Sequence, residues 1–221
     1  MQEKRALNAL EACQTFGGLT GQQLNEQWQA AAATTVKLGG GFYCAKIPWK
    51  KEKTTVDYYV FNGFFLTMRD EFVQPGASIY CFEVEWNAND LSWAHFRQRV
   101  LGPTDPQQAP KGSLRRILRD EYRQLGIASQ PNKGMNGIHG SASPFEGLVE
   151  RCNWYQRRFK DDAFGKALLA AGLSTNLLKE WSRDPRVQLD SDGNQGSLFD
   201  ALEEMDTPAC LEELVRISKL K

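Results

Sequence analysis

The chain has 221 residues, of which 41% are hydrophobic and 24% charged, a composition that suits one well-packed domain or one domain with an appendage. The formal net charge is zero, which excludes binding to nucleic acid or to an anionic membrane through overall charge. No apolar run is long enough for a transmembrane helix, and the first residues do not resemble a signal peptide. We therefore expect a cytoplasmic protein that binds neither membrane nor nucleic acid.

The five cysteines are spread along the chain, and no two of them have Cys-x-x-Cys spacing. An odd number of scattered thiols is typical of a reduced cytosolic protein. Because the sequence offers only two histidines as further ligands, we expect no structural zinc site.

Hydrophobic periodicity and turn residues predict a mixed α+β fold. The best strand signal is the alternation of side chains over 77–86, and a charged turn at 50–53 separates two runs that should form a hairpin. In the first part of the chain we predict a helix over 2–14, a second helix that follows a capping box at Thr20 and ends at the glycines 39–41, strands over 42–49 and 55–61, a helix over 64–72 and a strand over 77–86. Further helices are predicted from a cap at 89 or 90 to residue 100, and over 114–125, 144–159, 167–181, 198–205 and 208–220.

The composition of the chain changes after residue 159, where polar, turn-rich segments separate short helices. We therefore predict one domain over 1–160 and a helical extension over 161–221. Helical extensions of this kind are candidate surfaces for a protein partner.

One of the histidines, His139, stands in a glycine-rich turn that leads directly into a helix. Ser143 suits the N-cap, Pro144 the first helical position, and Glu146 the third position of a capping box. His139 should then lie just outside a helix N-terminus, where backbone N–H groups and the helix dipole favour a phosphate group. A neutral imidazole in that place can act as the nucleophile in phosphoryl transfer.

Residues 136–143 read Asn-Gly-Ile-His-Gly-Ser-Ala-Ser and resemble the active-site signature of nucleoside diphosphate kinases, Asn-x-x-His-Gly-Ser-Asp-Ser. Ala142 is a departure, because the family has Asp there. The resemblance implies an α+β fold with an antiparallel sheet of ferredoxin-like order, covered by helices. It also implies transfer of the γ-phosphate of a nucleoside triphosphate to a nucleoside diphosphate through a phosphohistidine at His139. Mg²⁺ would be carried by the nucleotide, and the protein would have no metal site of its own.

Three further stretches extend the resemblance to this family. Residues 101–106 are similar to its Leu-Gly-x-Thr-Asn-Pro loop, residues 112–115 to its Gly-Thr-Ile-Arg, and residues 63–65 to its Pro-Phe-Phe. The roles implied are phosphate binding by Thr104 and Arg115, a sugar contact from Asn136, base stacking on Phe64, and orientation of His139 by Ser141 and Glu150.

The chain also departs from the family pattern. Gln98 stands where the family has a phosphate-binding arginine, and of its neighbours Arg97 and Arg99 we favour Arg99 as the substitute. The stretch between Arg115 and His139 is longer than in the family. The family's Ile-Lys-Pro-Asp-Gly motif, whose lysine binds the γ-phosphate, has no counterpart near the start of this sequence.

Two functions follow from these observations. The first is an active nucleoside diphosphate kinase-like enzyme, which would form symmetric homo-oligomers as the family does. The second is a catalytically degenerate domain of the same fold that binds a nucleotide or a protein partner without turnover. Three of the predicted site residues also have an ordinary structural interpretation: Arg115 as a solvent-facing arginine, Glu150 as an exposed helix glutamate, and Phe64 as a core residue.

Overall fold

The computed structural model of the chain describes residues 4–39 and 41–220. The chain is a mixed α+β protein, as the sequence predicts, and it divides into two compact units. We call Met1–Tyr80 the sheet unit and Cys81–Lys221 the helical unit. Within the part of the chain that the structure describes, no helix is both long enough and apolar enough to cross a membrane.

The sheet unit is built on a four-stranded mixed sheet. Its elements are β1 (Ala6–Asn8), α1 (Ala9–Thr15), α2 (Gly21–Ala30), a 3₁₀ turn (Ala32–Thr34), β2 (Val36–Gly39), β3 (Phe42–Lys51), β4 (Thr54–Phe61) and α3 (Phe65–Val73). The strand order is β1-β4-β3-β2, with β1 parallel to β4 and the other neighbours antiparallel. The predicted hairpin is confirmed, since β3 and β4 pair from Cys44 opposite Phe61 to Lys51 opposite Thr54.

The first helix starts later than the sequence pattern predicts. Asn8 accepts a hydrogen bond from the Glu11 backbone N–H, and the Glu11 side chain accepts one from the Asn8 backbone N–H. This capping box fixes the helix start at Ala9 and leaves Ala6–Asn8 free to pair with β4. Gln2 and Glu3, where the helix was predicted to begin, lie outside the described residues.

Aromatic packing holds α1 against the hairpin. The Phe16 side chain is 1% exposed, and its ring stacks on Trp49 with 4.6 Å between ring centroids. The edge of the same ring meets Tyr58 at 5.3 Å. An aromatic side chain buries roughly 150–250 Å², worth on the order of 25 cal/mol per Å² of apolar surface, so this cluster helps to anchor the end of α1.

The helical unit carries the remaining elements. They are α4 (Trp93–His95), which continues as a π-helical turn (Phe96–Leu101), then α5 (Leu114–Asp120), α6 (Pro144–Trp154), a 3₁₀ turn (Phe159–Asp161), α7 (Ala163–Ala170), α8 (Thr175–Trp181), β5 (Arg186–Gln188), β6 (Gln195–Ser197), α9 (Leu198–Leu202) and α10 (Thr207–Ser218). β5 and β6 form a small antiparallel hairpin.

The core of the helical unit lies between α6 and the C-terminal helices. Leu148 of α6 is fully buried together with Leu168, Leu178, Leu202 and Leu214, one from each of the four helices that follow. Helices on both sides of residue 160 therefore share one core, and they fix the axis of α6. The domain boundary that the sequence places at 160 stays a prediction, because compactness alone divides the chain elsewhere.

The prediction of a strand over 77–86 is wrong. This segment has no strand assignment, and within the described chain the backbone groups of 78–86 make no hydrogen bonds to other backbone groups. Tyr80 is 85% exposed and Phe82 is 81% exposed. Alternating side chains favour an extended backbone, but a strand also needs a neighbour to pair with, and no strand among residues 4–39 and 41–220 pairs with this segment.

Candidate active site

The histidine turn, residues 136–143, is held by the first turn of α6. The Ser143 hydroxyl accepts a hydrogen bond from the Glu146 N–H at 3.2 Å, and Pro144 takes the first helical position, both as predicted. The other half of the predicted capping box is displaced by one residue, because the Glu146 carboxylate accepts the N–H of Ala142 rather than that of Ser143. Glu146 thereby ties the turn, and not only the cap, to the helix.

Three of the predicted catalytic residues meet at the end of this turn. Nε2 of His139 lies within hydrogen-bond distance of Oε1 of Glu150, two helical turns into α6. The Ser141 hydroxyl donates to the other oxygen, Oε2, at 2.5 Å. Glu150 is therefore not an ordinary solvent-facing glutamate, since both of its oxygens are used to orient the histidine turn.

The contact with Glu150 decides which ring nitrogen of His139 can react. An ionised carboxylate only accepts hydrogen bonds, so Nε2 must carry the proton and Nδ1 keeps its lone pair in the neutral ring. Nδ1 has no hydrogen-bond partner among residues 4–39 and 41–220, and the His139 side chain is 68% exposed. The nucleophilic nitrogen of the neutral ring therefore belongs to a largely exposed side chain.

The surroundings of His139 favour its charged form. The hydrogen bond with Glu150 has the largest effect and raises the pKa of His139, whereas burial, the next largest, lowers it. The negative charges of Glu150 and Glu146 raise the pKa further, against a smaller opposing effect of Arg115. For Glu150, burial would raise the pKa, but the hydrogen bonds from His139 and Ser141 outweigh it and hold the pKa below its usual value. Glu150 is thus anionic at neutral pH.

Glu146 is a second carboxylate of the cluster. Burial raises the pKa of Glu146, and the nearby Glu150 raises it further, while the hydrogen bond from Ala142 lowers it. The donor atoms of His139, Glu146 and Glu150 lie within 4.8 Å of one another, which is close enough to share one cation. The same closeness is explained without a cation, because His139 and Ser141 already satisfy Glu150 and Ala142 satisfies Glu146.

Arg115 joins two loops that the sequence assigns to phosphate binding. One terminal nitrogen donates to the carbonyl oxygen of Gly102 at 2.6 Å, and the other donates to that of Ile138 at 2.7 Å. Its Nε is buried and has no hydrogen-bond partner in the described chain. Burial lowers the pKa of Arg115, and the charge of Arg97 lowers it further, so this arginine lies inside the site and does not simply face solvent.

Gly102 packs closely against Ala109 and Ser113, the residue before α5. Its φ is +87°, in the left-handed region, and a Cβ there would lie 2.8 Å from the Ser113 hydroxyl oxygen and 2.9 Å from the Ala109 Cβ. Only glycine therefore fits between the π-helical turn and the start of α5.

Asn136 and Thr104 lie next to each other. The Asn136 side-chain amide donates to the Thr104 carbonyl oxygen at 3.2 Å, and its own oxygen accepts the Ile138 N–H at 3.2 Å. Thr104 is exposed, and its hydroxyl has no hydrogen-bond partner in the described ranges. The structure thus brings Thr104, Arg115, Asn136, His139, Ser141 and Glu150 into one continuous network of contacts.

Two further residues, Arg99 and Phe64, were predicted to bind the nucleotide. Arg99 is exposed and makes no hydrogen bond or ion pair within the described residues, whereas Arg97 is the arginine whose charge acts on Arg115 and Glu146. Phe64 belongs to the sheet unit, where its ring packs edge-on against Trp28 and Tyr43. The predicted roles of Arg99 and Phe64 in binding nucleotide stay predictions.

Sequence reasoning missed Trp93 and Glu146 as parts of the site. The Trp93 indole N–H donates to the carbonyl oxygen of Ser141 at 2.9 Å. Glu146 could have been found from its spacing, since it lies one helical turn before Glu150 on the same face. Nothing in the sequence near Trp93 indicates a contact that spans 48 positions.

Comparison with known proteins adds no relative to this description: no family model, no curated protein and no solved structure matches the chain.

Proposed function

We propose that this chain is a nucleoside diphosphate kinase-like phosphotransferase, and that His139 carries the phosphoryl group. The observation that supports the proposal most is the contact of Nε2 of His139 with Glu150, which makes Nδ1 the nucleophilic nitrogen of the neutral ring on a largely exposed side chain. Ser141 supports the same arrangement from the other oxygen of Glu150. A nucleophile activated by an adjacent base, itself oriented by a third group, is the usual signature of covalent catalysis.

The reaction has two balanced half-reactions. The Nδ1 lone pair of His139 attacks the γ-phosphorus of a nucleoside triphosphate, an N–P bond forms, and the bond to the β-phosphate oxygen breaks, so that a nucleoside diphosphate leaves. A terminal oxygen of a second nucleoside diphosphate then attacks the same phosphorus, and the N–P bond breaks. Glu150 holds the Nε2 proton throughout and stabilises the positive charge that the ring gains.

The helix N-terminus and the nearby cations suit the substrate. Mg²⁺ would enter with the nucleotide and offset the charge of its phosphates, so the proposal requires no metal cage from the chain. Arg115, Thr104 and Asn136 line the neighbouring loop, and the positive end of α6 lies behind the turn. Arg115 would contact phosphate by exchanging one of its two backbone carbonyl partners for a phosphate oxygen.

One observation favours the alternative of a degenerate binding domain. Both terminal nitrogens of Arg115 donate to backbone carbonyls at short distances, which is the arrangement of a structural arginine. In that case the network would shape a surface for a nucleotide or a protein partner without phosphoryl transfer. The C-terminal helices would be the natural contact surface for such a partner.

The test is transfer of label from ATP that carries radioactive γ-phosphorus to the purified protein. We expect acid-labile, alkali-stable label that a nucleoside diphosphate removes, and we expect His139→Ala to abolish it. His95→Ala is the matched control, because His95 is the second histidine of the chain. Label that persists in His139→Ala would contradict the proposal. Nucleotide binding without any label in the wild-type protein would support the degenerate domain instead.

A further inference from the structure

The turn between α9 and α10, Glu203–Asp206, lies directly against the histidine turn. The backbone N–H of Glu204 donates to the carbonyl oxygen of Ala142 at 2.9 Å. Oδ1 of Asp206 accepts the backbone N–H of Trp93 at 2.6 Å, across 113 positions of the sequence. These contacts come from the C-terminal part of the chain and reach the residues that flank His139.

Trp93 contacts both Asp206 and the histidine turn. Its indole N–H donates to the carbonyl oxygen of Ser141 at 2.9 Å, and its ring is held by Trp86 at 5.1 Å between ring centroids. The carbonyls of Ser141 and Ala142, which follow each other in the turn, are therefore both fixed by the Glu203–Asp206 turn, one through Trp93 and one directly.

Asp206 does not cap its helix in the usual way. It is the N-cap of α10, where an aspartate normally accepts a hydrogen bond from the second or third N–H of the helix. Its side chain makes no such cap hydrogen bond and instead binds Trp93. The backbone of Glu204 has a φ of +62°, which is unfavourable for any residue other than glycine. Both features cost local stability, and both bring the turn against the site.

Side-chain contacts reinforce the same approach. Glu203 pairs with Arg97 at 2.7 Å, and Glu204 accepts hydrogen bonds from Gln98 at 3.0 and 3.2 Å. Arg97 in turn acts electrostatically on Arg115 and Glu146. The acidic turn is thus linked both to the histidine turn and to the helix before the Thr104 loop.

We propose that the Glu203–Asp206 turn is a positioning element of the active site, and that Asp206, acting through Trp93 and Ser141, holds the histidine turn in the geometry needed for transfer. This inference rests on the proposed function. It assigns a catalytic purpose to the C-terminal helices, because the contact that fixes Ser141, and through it Glu150 and His139, originates in them.

The decisive variant is Asp206→Ser, because serine is a good N-cap for α10 but is too short to replace the carboxylate at Trp93. We expect a melting temperature close to that of the wild type. The maximal rate of His139 labelling should fall about tenfold, since a small misplacement of a reacting group is enough for such a loss. The ATP concentration at half-maximal rate should stay the same. Asp206→Asn, which keeps the oxygen acceptor, should restore most of the rate.

Trp93→Phe provides a second, independent variant. It removes the indole N–H that binds Ser141 and keeps an aromatic ring next to Trp86. It should lower the labelling rate in the same way as Asp206→Ser, with the half-saturating ATP concentration unchanged. Labelling of both folded variants at the wild-type rate would overturn the inference.

Hydrogen exchange separates this inference from the proposed function. If the wild-type protein takes no label, the proposed function fails, and the amides of Trp93 and Glu204 then report on the contact itself. Faster exchange at both amides in Asp206→Ser, with Asp206→Asn like the wild type, would support a turn that holds the histidine turn in place. Unchanged exchange at both amides would show that Asp206 does not position it.

Discussion

Two polar clusters each include one of two neighbouring residues of α6, and the clusters differ in how far they are exposed to solvent. The histidine cluster (His139, Ser141, Glu146 and Glu150) opens to solvent, and His139 is 68% exposed. The Asp162 cluster (Glu83, Arg151, Arg157 and Asp162) closes around a carboxylate that is 2% exposed. Glu150 belongs to the first cluster and Arg151 to the second, so one helix directs adjacent side chains into two different environments.

The difference lies in which groups are left without a partner. Asp162 accepts hydrogen bonds from Arg151 at 2.7 and 3.2 Å, from Arg157 at 3.4 Å, and from the N–H groups of Phe164 and Gly165 at the start of α7. In the histidine cluster, Nδ1 of His139 has no partner within the described residues. A fully paired buried cluster stabilises the fold, whereas an unpaired group in an ordered setting can react.

The largest effect that we predict is on stability, in Asp162→Asn. Asparagine keeps an oxygen for the α7 N–H groups but removes the charge that pairs with Arg151 and Arg157. Arg151 and Arg157 would then have only the partly exposed Glu83 as an ionic partner, so we expect a loss of about 3 kcal/mol in the free energy of unfolding, the lower end for breaking a buried pair. Urea denaturation followed by tryptophan fluorescence measures this loss.

The matched control for this variant is Asp161→Asn. Asp161 is the preceding residue in the chain, and its ion pair with Arg158 lies on the surface. It should leave the unfolding free energy unchanged within error. Equal losses in the two variants would show that burial of Asp162 does not set its contribution.

The pH dependence of stability should follow from the same cluster. Burial would raise the pKa of Asp162, but the hydrogen bonds and charge of Arg151 and the α7 N–H groups hold it below the usual value. A carboxyl whose pKa is lowered by folding stabilises the protein above its unfolded pKa of about 3.9. That stabilisation should be lost as the pH falls through the lower pKa of the folded state, and Asp162→Asn should remove this acid-dependent part.

The next largest effect concerns the histidine cluster, in Glu150→Gln. Glutamine keeps an oxygen acceptor for Nε2 but removes the charge that stabilises the ring when Nδ1 becomes bonded to phosphorus. Because a charge-assisted hydrogen bond is replaced by a neutral one, we expect the labelling rate at neutral pH to fall about tenfold or more. The unfolding free energy should change much less than in Asp162→Asn.

The pH profile of labelling in the same variant gives a sign that can be checked. The raised pKa of His139 keeps the ring protonated to higher pH, and only the neutral ring can attack. Labelling should therefore decline as the pH is lowered through that raised pKa, and in Glu150→Gln the decline should move to lower pH. A profile that stays in place, or moves to higher pH, would mean that Glu150 does not set the protonation of His139.

Short-range patterns and the resemblance to the kinase signature made the centre of the site predictable. The N-cap at Ser143 and the helix start at Pro144 follow from local spacing. The meeting of His139 with Ser141 and Glu150 was expected from the resemblance to the kinase signature, and Glu146 was expected only as part of the cap. The β3–β4 hairpin was predictable from local spacing as well, because a charged turn joins two adjacent runs. Arg115 contacts both Gly102 and Ile138, so the two loops lie side by side, and the role of Arg115 in binding phosphate stays a prediction.

Contacts between distant parts of the chain were not predictable. The alternation over 77–86 predicts which side chains share a face of an extended segment, but whether a strand lies next to that segment depends on the rest of the fold. Likewise, nothing near Asp206 or Trp93 in the sequence indicates that the two would meet, and Arg97 and Arg99 are equivalent until the π-helical turn orients them. Which of these residues contact the site is decided by the packing of the helical unit around α6.

The smallest effect that we predict lies at the edge of the Asp162 cluster, in Glu83→Gln. Glu83 accepts hydrogen bonds from Arg157 at 2.8 and 2.9 Å and is 44% exposed, so it pairs at the surface while Asp162 pairs inside. Surface pairs contribute little, and we expect the melting temperature to fall by only about 1 °C. Glu83 is, however, a link between the exposed segment 81–86 and the rest of the helical unit.

Limited proteolysis with chymotrypsin should reveal that link. Cleavage after Phe82, identified by mass spectrometry, should be about two- to threefold faster in Glu83→Gln, because loss of a surface ion pair frees the segment locally without unfolding the unit. Glu85→Gln is the matched control, since Glu85 lies in the same segment and makes no ion pair or hydrogen bond in the described chain. If both variants were cut at the wild-type rate, the Asp162 cluster would end at Arg157, and the segment would be held by the packing of Trp86 on Phe96 instead.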